Sequence, residues 1–237
     1  MLQPPPDADP RGHRFTVDNL TGMVRNYLAA GAQVLVVSGV IDPERGTDFA
    51  EAAVGAEITF CHLTVDELTL RARLAARGWP SEAADASLTM MSALADAPFV
   101  TTEMDTAGRD PVGLAREAAA LVTVASSIPD RQELAECPVG DVTLVIGPRA
   151  VGKSSVSWGL AMGRWAGGQR TVYVDLDQVG FLRRAPSDAW LQAANLGVIW
   201  RNALSRGASS LVANGLVTTT ADLAILRPAV GPQQSGR

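Results

Sequence analysis

Lysine is almost absent from this chain of 237 residues. Lys153 is the single lysine among its 20 basic residues, and the others are arginines. The 25 acidic residues leave a formal net charge of −5, which argues against a nonspecific nucleic-acid surface. Two cysteines and two histidines are too few for a disulfide framework or a metal cluster. No apolar run is long enough to cross a bilayer. We therefore expect a cytoplasmic protein without nucleic-acid or membrane partners.

The one lysine lies in a glycine-rich motif, G-x-x-x-x-G-K-S. In loops of this type, backbone N–H groups surround phosphates, the lysine reaches the β and γ phosphates, and the next hydroxyl binds Mg²⁺. An arginine-rich sequence that keeps lysine here indicates a need for a compact ammonium. The motif predicts a site for the phosphates of a nucleotide together with Mg²⁺. The residues predicted to bind the nucleotide are Gly147, Ala150, Val151, Gly152, Lys153, Ser154 and Ser155.

The sequence on either side supports this interpretation of the motif. Residues 142–146 are apolar and rich in β-branched side chains, as in a buried parallel strand. Residues 155–164 have the apolar spacing of a helix. A strand, a glycine loop and a helix therefore follow one another, and the helix N-terminus would add its own N–H groups to anion binding.

Strands alternate with helices along the rest of the chain. The other predicted strands are residues 34–37, 58–63, 99–104, 171–174 and 211–213. The other predicted helices are residues 18–30, 49–54, 65–77, 82–95, 111–124 and 190–205. This order predicts an α/β fold with a mostly parallel sheet. Residues 1–12 and 228–237 are expected to be disordered.

One helix–strand unit occurs twice. Residues 19–41 align with residues 195–217 at an offset of 176, and ten of these 23 positions are identical. The identical positions in the first copy are Asn19, Leu20, Arg25, Asn26, Leu28, Gly31, Ala32, Leu35, Val36 and Gly39. The shared Arg-Asn and Gly-Ala pairs favour a common origin. Two copies are too few for a solenoid, which needs at least three.

Two aspartates follow the predicted strand 171–174. Asp175 and Asp177 lie at the carboxyl end of that strand, where open α/β sheets bind ligands. Carboxylates are expected near a γ-phosphate that is being transferred, because phosphoryl transfer depends on positioning and charge neutralisation. The residues alone leave a second interpretation open, in which these aspartates only cap the next helix.

These features together resemble the small P-loop kinases of the shikimate kinase, gluconate kinase and chloramphenicol phosphotransferase group, including actinobacterial ATP-binding proteins. Residues 141–217 resemble the first half of such a kinase, within a part that extends to residue 227. Residues 13–125 resemble its later part, and residues 126–140 connect the two. The resemblance implies a three-layer P-loop NTPase sandwich in a rearranged order.

Three arrangements of the two parts fit this resemblance. They form one circularly permuted domain, they are the remains of a truncated tandem of two kinases, or two chains complement each other. We expect both parts to pack around one sheet, because a parallel sheet must bury both of its faces. The duplicated unit also offers a surface for self-association.

The resemblance also implies roles for individual residues. Ser154 would bind Mg²⁺, and Asp175 or Asp177 would hold Mg²⁺ through water or orient the acceptor. Arg73 or Arg77 would close a lid over the phosphates, although a solvent-exposed arginine face is an equal alternative. Arg109 would stack on adenine. The ends of the two third-strand copies lack the Walker-B aspartate of many P-loop enzymes.

The resemblance implies an enzyme that transfers the γ-phosphate of ATP to a small hydroxylated molecule. Two alternatives remain open at this point. The rearranged order and the missing Walker-B carboxylate also fit a nucleotide-binding module without turnover. The chain could equally be a truncated tandem kinase that has lost its function.

Overall fold

The structure, a computed structural model, describes residues 2–3, 9, 12–53, 55–122, 124, 129–137, 140–182, 188–217 and 219–231. The chain divides into two compact units. The first unit comprises Met1–Leu35 and Ser127–Arg237, and the second comprises Val36–Ser126. None of the described helices is long and apolar enough to span a membrane.

Strands and helices alternate through most of the described chain. The strands are β1 (Leu2–Gln3), β2 (Cys61–Thr64), β3 (Thr102–Asp105), β4 (Asp141–Ile146), β5 (Thr171–Asp175) and β6 (Ser210–Gly215). The helices are α1 (His13–Ala29), α2 (Gly46–Ala52), α3 (Glu67–Ala76), α4 (Ser81–Ala95), α5 (Pro111–Ala120), α6 (Lys153–Ala166), α7 (Leu176–Val179), α8 (Ala189–Leu204) and α9 (Thr220–Val230).

The first unit contains a four-stranded sheet in the order β1-β5-β6-β4. Strands β4 and β5 both run parallel to β6, and β1 pairs with β5 in the antiparallel sense. Every residue of β6 is buried, as expected for the central strand of a parallel sheet that is covered on both faces. The predicted α/β fold with a mostly parallel sheet is confirmed at this level.

Helix α8 provides much of the core of the first unit. Trp200 is fully buried among the side chains of β5, β6 and α9. Its ring also lies against Gly140, where a Cβ atom would come within 2.4 Å of the indole. A glycine at position 140 is therefore required by this close approach.

The second unit contains a two-stranded parallel sheet of β2 and β3. Helices α3 and α4 pack against each other, and α4 also contacts β2. The rings of Phe60 and Phe99 meet edge to face with their centroids 5.1 Å apart. Since β2 and β4 belong to different sheets, the expected packing of both parts around one sheet is wrong.

The two copies of the repeated unit meet through their helices. Asn26 of α1 donates its amide Nδ2–H to Asn195 Oδ1 at 2.9 Å. Asn202 of α8 donates in the same way to Asn19 Oδ1 at 2.8 Å. At the offset of 176 residues, Asn19 corresponds to Asn195 and Asn26 to Asn202. The second contact is therefore the first with the two copies exchanged, so α1 and α8 pack about an approximate two-fold axis. The contacts run in opposite order along the two helices, which therefore cross in the antiparallel sense.

Both copies end their helix in the same way. Gly31 and Gly207 have positive φ angles of 90° and 77°. The N–H of Ala32 donates to the carbonyl of Tyr27 at 2.9 Å, and the N–H of Ala208 donates to Ala203 at 3.0 Å. This hydrogen-bonded glycine ending is common at helix C-termini.

The two copies differ after this turn. Leu211 and Val212 of β6 are fully buried, whereas Val36 is 85% exposed and the predicted strand 34–37 is not formed. The prediction is wrong because β6 already lies between β4 and β5, and a strand is stabilised by its partners rather than by its sequence alone. Only the second copy therefore contributes a strand to this sheet, and α1 of the first copy packs against α8.

The chain ends also differ from expectation. Leu2–Gln3 pairs with β5, and α9 continues past Pro228 to Val230, although disorder was expected at both places. The rest of the expected disordered ends, residues 1, 4–8, 10–11 and 232–237, lies outside the described residues, as do residues 126–128 and 138–139 of the connector.

Candidate functional site

A loop of six residues, 147–152, connects β4 to α6 and is called the glycine loop below. Gly152 has a φ angle of 88°, and Ala150 has a φ angle of 65°. Ala150 is the one non-glycine residue with positive φ in the described part of the chain. A left-handed alanine is strained, and strain of this kind persists at sites where the surrounding structure imposes it. Alternation of right- and left-handed residues also creates concave sets of N–H groups that bind anions.

Lys153 is the first residue of α6. Its ammonium Nζ donates to the carbonyl oxygen of Pro148 at 2.9 Å, so the positive charge lies over the glycine loop. This contact uses one of the three N–H donors of the ammonium group. The remaining two can bind an anion without leaving the loop.

The N-terminus of α6 has no side-chain cap. Gly152 stands at the capping position, and α1, α2 and α4 also lack a side-chain cap. The other longer helices have one: Asp66, Asp110, Asp188 and Thr219 each accept a backbone N–H at the start of a helix. The first N–H groups of α6 have no partner within the helix and no capping oxygen in front of them. These donors and the lysine therefore form one electropositive surface at the start of α6.

Ser154 is held by a residue of the central strand. Its hydroxyl donates to Asn214 Oδ1 at 3.3 Å. Asn214 is 1% exposed, and its Nδ2 donates to the hydroxyl oxygen of Tyr173 at 3.0 Å. The amide thereby links α6 to β5 through β6 and fixes the side of the sheet to which Ser154 points.

Asp175 and Asp177 both accept backbone hydrogen bonds. Asp175 Oδ1 accepts the N–H of Asp177 at 3.0 Å and caps α7. Asp177 Oδ1 accepts the N–H of Leu216 at 3.2 Å. Asp175 therefore caps the next helix, and each of the two contacts uses one oxygen of its carboxylate.

The strand register places Asp175 next to Asn214. These two residues are partners in the parallel pairing of β5 with β6. Tyr173 lies two residues earlier on β5, and its ring meets Trp158 of α6 edge to face at 5.2 Å. Because alternate residues of a strand share a face, Asp175, Tyr173 and Asn214 lie on the face covered by α6.

The start of α6 and the carboxyl ends of β5 and β6 carry three oxygen groups that can bind a cation. They are the Ser154 hydroxyl, the Asn214 amide oxygen and the Asp175 carboxylate. No group of three or more His, Cys, Asp or Glu residues that could hold a metal ion occurs among the residues the structure describes. Mg²⁺ commonly binds through one or two carboxylates, water and substrate phosphates. The residues therefore fit Mg²⁺ only as an ion held mainly by a bound nucleotide.

The arginines predicted to close a lid over the phosphates and to stack on adenine lie in the second unit. Arg73 donates from Nη1 to Thr106 Oγ1 and from Nη2 to the Thr106 carbonyl, both at 2.9 Å. Arg109 pairs with Glu117. Arg77 follows the last residue of α3. The structure thus shows local partners for Arg73 and Arg109, and their nucleotide roles stay predictions.

Asn214 and Tyr173 were not among the residues predicted for the site. The sequence showed only that position 214 lacks the aspartate of many P-loop enzymes. Its link to Ser154 joins residues 60 positions apart and depends on how α6 packs on the sheet. A polar residue within the otherwise apolar run of β6 is the signal that could have identified it.

No family model, curated protein or solved structure matches this chain. The kinase resemblance therefore remains an expectation, supported only by residues and geometry.

Proposed function

We propose that residues 141–217 form a phosphate-loop unit that binds ATP and transfers its γ-phosphate to a small hydroxylated molecule. The glycine loop carries this proposal. It joins a strand of a parallel sheet to an uncapped helix, contains a left-handed alanine, and has the lysine ammonium folded over it.

Each group of the loop has a role in binding. The Lys153 ammonium neutralises charge on the β and γ phosphates, and the first N–H groups of α6 donate to phosphate oxygens. Bound Mg²⁺ would neutralise further charge on the β and γ oxygens. Ser154 and the water around Asp175 would complete the shell of that ion.

Transfer requires a second set of contacts at the end of β5. The acceptor hydroxyl oxygen bonds to the γ-phosphorus, the bond from that phosphorus to the bridging oxygen breaks, and ADP leaves. The hydroxyl proton passes to a carboxylate. Asp175 and Asp177 are the candidates, since each uses one oxygen for its backbone contact. A lid role for Arg73 or Arg77 and adenine stacking by Arg109 remain part of this proposal.

The binding step is tested by calorimetric titration with ATP and with GTP. Lys153→Ala should weaken binding by about 10- to 100-fold, because it removes charge-assisted hydrogen bonds to phosphate. Arg149→Ala is the matched control, since it removes a positive charge from an exposed position of the same loop. It should change the affinity by less than about threefold. The absence of ATP and GTP binding, or equal binding by the lysine variant, would refute the proposal.

A nucleotide-binding module without turnover is the second candidate. The capping role of Asp175 favours it, because that carboxylate already has a structural function. The two are separated by measuring ADP release from ATP with a pool of small hydroxylated metabolites. Asp175→Asn retains a good capping side chain and removes the charge. A kinase should release ADP, and this variant should lose turnover while still binding ATP. Binding without ADP release supports the module.

A further inference from the structure

Asn214 occupies a position where a charge would act directly on a bound cation. It is buried at the carboxyl end of the central strand, beside the glycine loop. Its amide oxygen accepts a hydrogen bond from the Ser154 hydroxyl, which leaves the lone pairs of the hydroxyl oxygen available to a cation. A carboxylate in this place would also accept from Ser154, but it would add one negative charge.

The amide is held in this orientation by its other end. Nδ2 donates to the Tyr173 hydroxyl oxygen at 3.0 Å, and the Tyr173 ring packs against Trp158. The amide therefore cannot turn away from Ser154 without losing a buried hydrogen bond, which is costly. Asn214 keeps the serine in position while remaining neutral.

Because the Asn214 amide is uncharged, it adds no attraction for Mg²⁺ and no repulsion of the phosphates of metal-free ATP. Both effects make ATP binding less dependent on Mg²⁺. A unit charge about 5 Å from a divalent cation changes its affinity by at least about tenfold even at the dielectric constant of water. Asp175, the register partner of Asn214, keeps its charge while one of its oxygens caps α7, so a carboxylate at position 214 would be a second charge beside the ion.

We infer that Asn214 is a positioning residue for Ser154 and that its neutrality makes ATP binding at this loop at least about tenfold less dependent on Mg²⁺ than a carboxylate at this position would make it. This inference rests on the proposed nucleotide site. The ratio of ATP affinities with and without Mg²⁺ can be measured without an acceptor.

The test is the dissociation constant for ATP measured by calorimetry in excess EDTA and in excess MgCl₂. The gain in affinity from Mg²⁺, which is the ratio of these two values, should be at least about tenfold larger for Asn214→Asp than for the wild-type protein. Ser209→Asp is the matched control, because it adds the same charge at an exposed residue before β6, about 16 Å along the strand from Asn214. It should behave as wild type.

The outcomes separate this inference from the proposed function. A folded Asn214→Asp protein whose gain from Mg²⁺ equals that of the wild type overturns the inference and leaves the nucleotide site in place. If Asn214→Asp fails to fold, Asn214→Ala tests the positioning role, because it removes the contact with Ser154. An unchanged affinity of that variant for Mg²⁺–ATP overturns the inference. Absence of ATP and GTP binding under both conditions overturns the proposed function and this inference together.

Discussion

The crossing of α1 and α8 gives a prediction with a defined sign. Gly22 lies at the centre of the contact, and the residue it faces is Val198, its own counterpart at the offset of 176 residues. A Cβ atom built on Gly22 would lie 2.7 Å from both γ-methyl carbons of Val198. Carbon atoms normally approach to about 3.5–4.0 Å, so Gly22→Ala requires the helices to separate by roughly 1 Å. Val198 is β-branched and stiff in a helix, so its side chain cannot easily turn aside.

Two opposing terms set the magnitude. Overpacking of this kind costs about 1–3 kcal/mol, and replacing a helical glycine by alanine returns about 1 kcal/mol. We expect Gly22→Ala to destabilise the first unit by about 1 kcal/mol, as the difference of these terms. Adding Val198→Ala removes the clash, so the pair of substitutions should show a coupling energy of about 1–2 kcal/mol in favour of the double variant.

The assay is urea denaturation followed by tryptophan fluorescence, since four of the five tryptophans lie in the first unit. Gly163→Ala on α6 is the matched control, because no atom lies within 4 Å of its built Cβ. It should stabilise the protein by about 0.5–1 kcal/mol. If Gly22→Ala stabilises the protein as much as Gly163→Ala does and shows no coupling with Val198→Ala, the expected clash with Val198 does not occur.

Further predictions concern the last helix and the thiols. Thr219→Ala removes the capping box of α9 and should cost about 1 kcal/mol in urea denaturation, whereas Thr220→Ala should be nearly neutral. At pH 8 a thiol reagent should modify exposed Cys61 before Cys137, which is 3% exposed; equal rates would contradict the burial of Cys137. Burial raises the pKa of the Cys137 thiol. The unfolded chain therefore loses that proton first, and the unfolding free energy should fall as the pH rises above about 8.5. Cys137→Ala should reduce this fall.

Prediction from the sequence succeeded for elements whose local apolar pattern matches the partners they have in the fold. The strand before the glycine loop, the helix after it and the aspartates at the carboxyl end of β5 were all located from apolar spacing and motif. The helix of each repeat copy was also predicted, because its apolar stripe and terminal glycine act locally.

Predictions failed where an element depends on distant partners. Residues 34–37 have the same strand pattern as β6, but only one copy can lie between β4 and β5. The division into two sheets likewise depends on which edges pair, and apolar spacing does not specify this. In the site, Lys153 and Ser154 could be named from the motif. The contribution of Asn214 could not, because it depends on a contact with Ser154 formed only after α6 packs on the sheet.

The pairing of Gly22 with Val198 has a consequence for how this helix contact can evolve. In a dimer of identical chains, a residue on the two-fold axis meets its own copy, so a glycine faces a glycine and a valine faces a valine. A chain that carries both helices can change one without changing the other. A small residue can then face a large one across the axis, which allows closer packing than identical chains permit at that point. Both helices also stay together at any dilution, since covalent linkage replaces protein concentration.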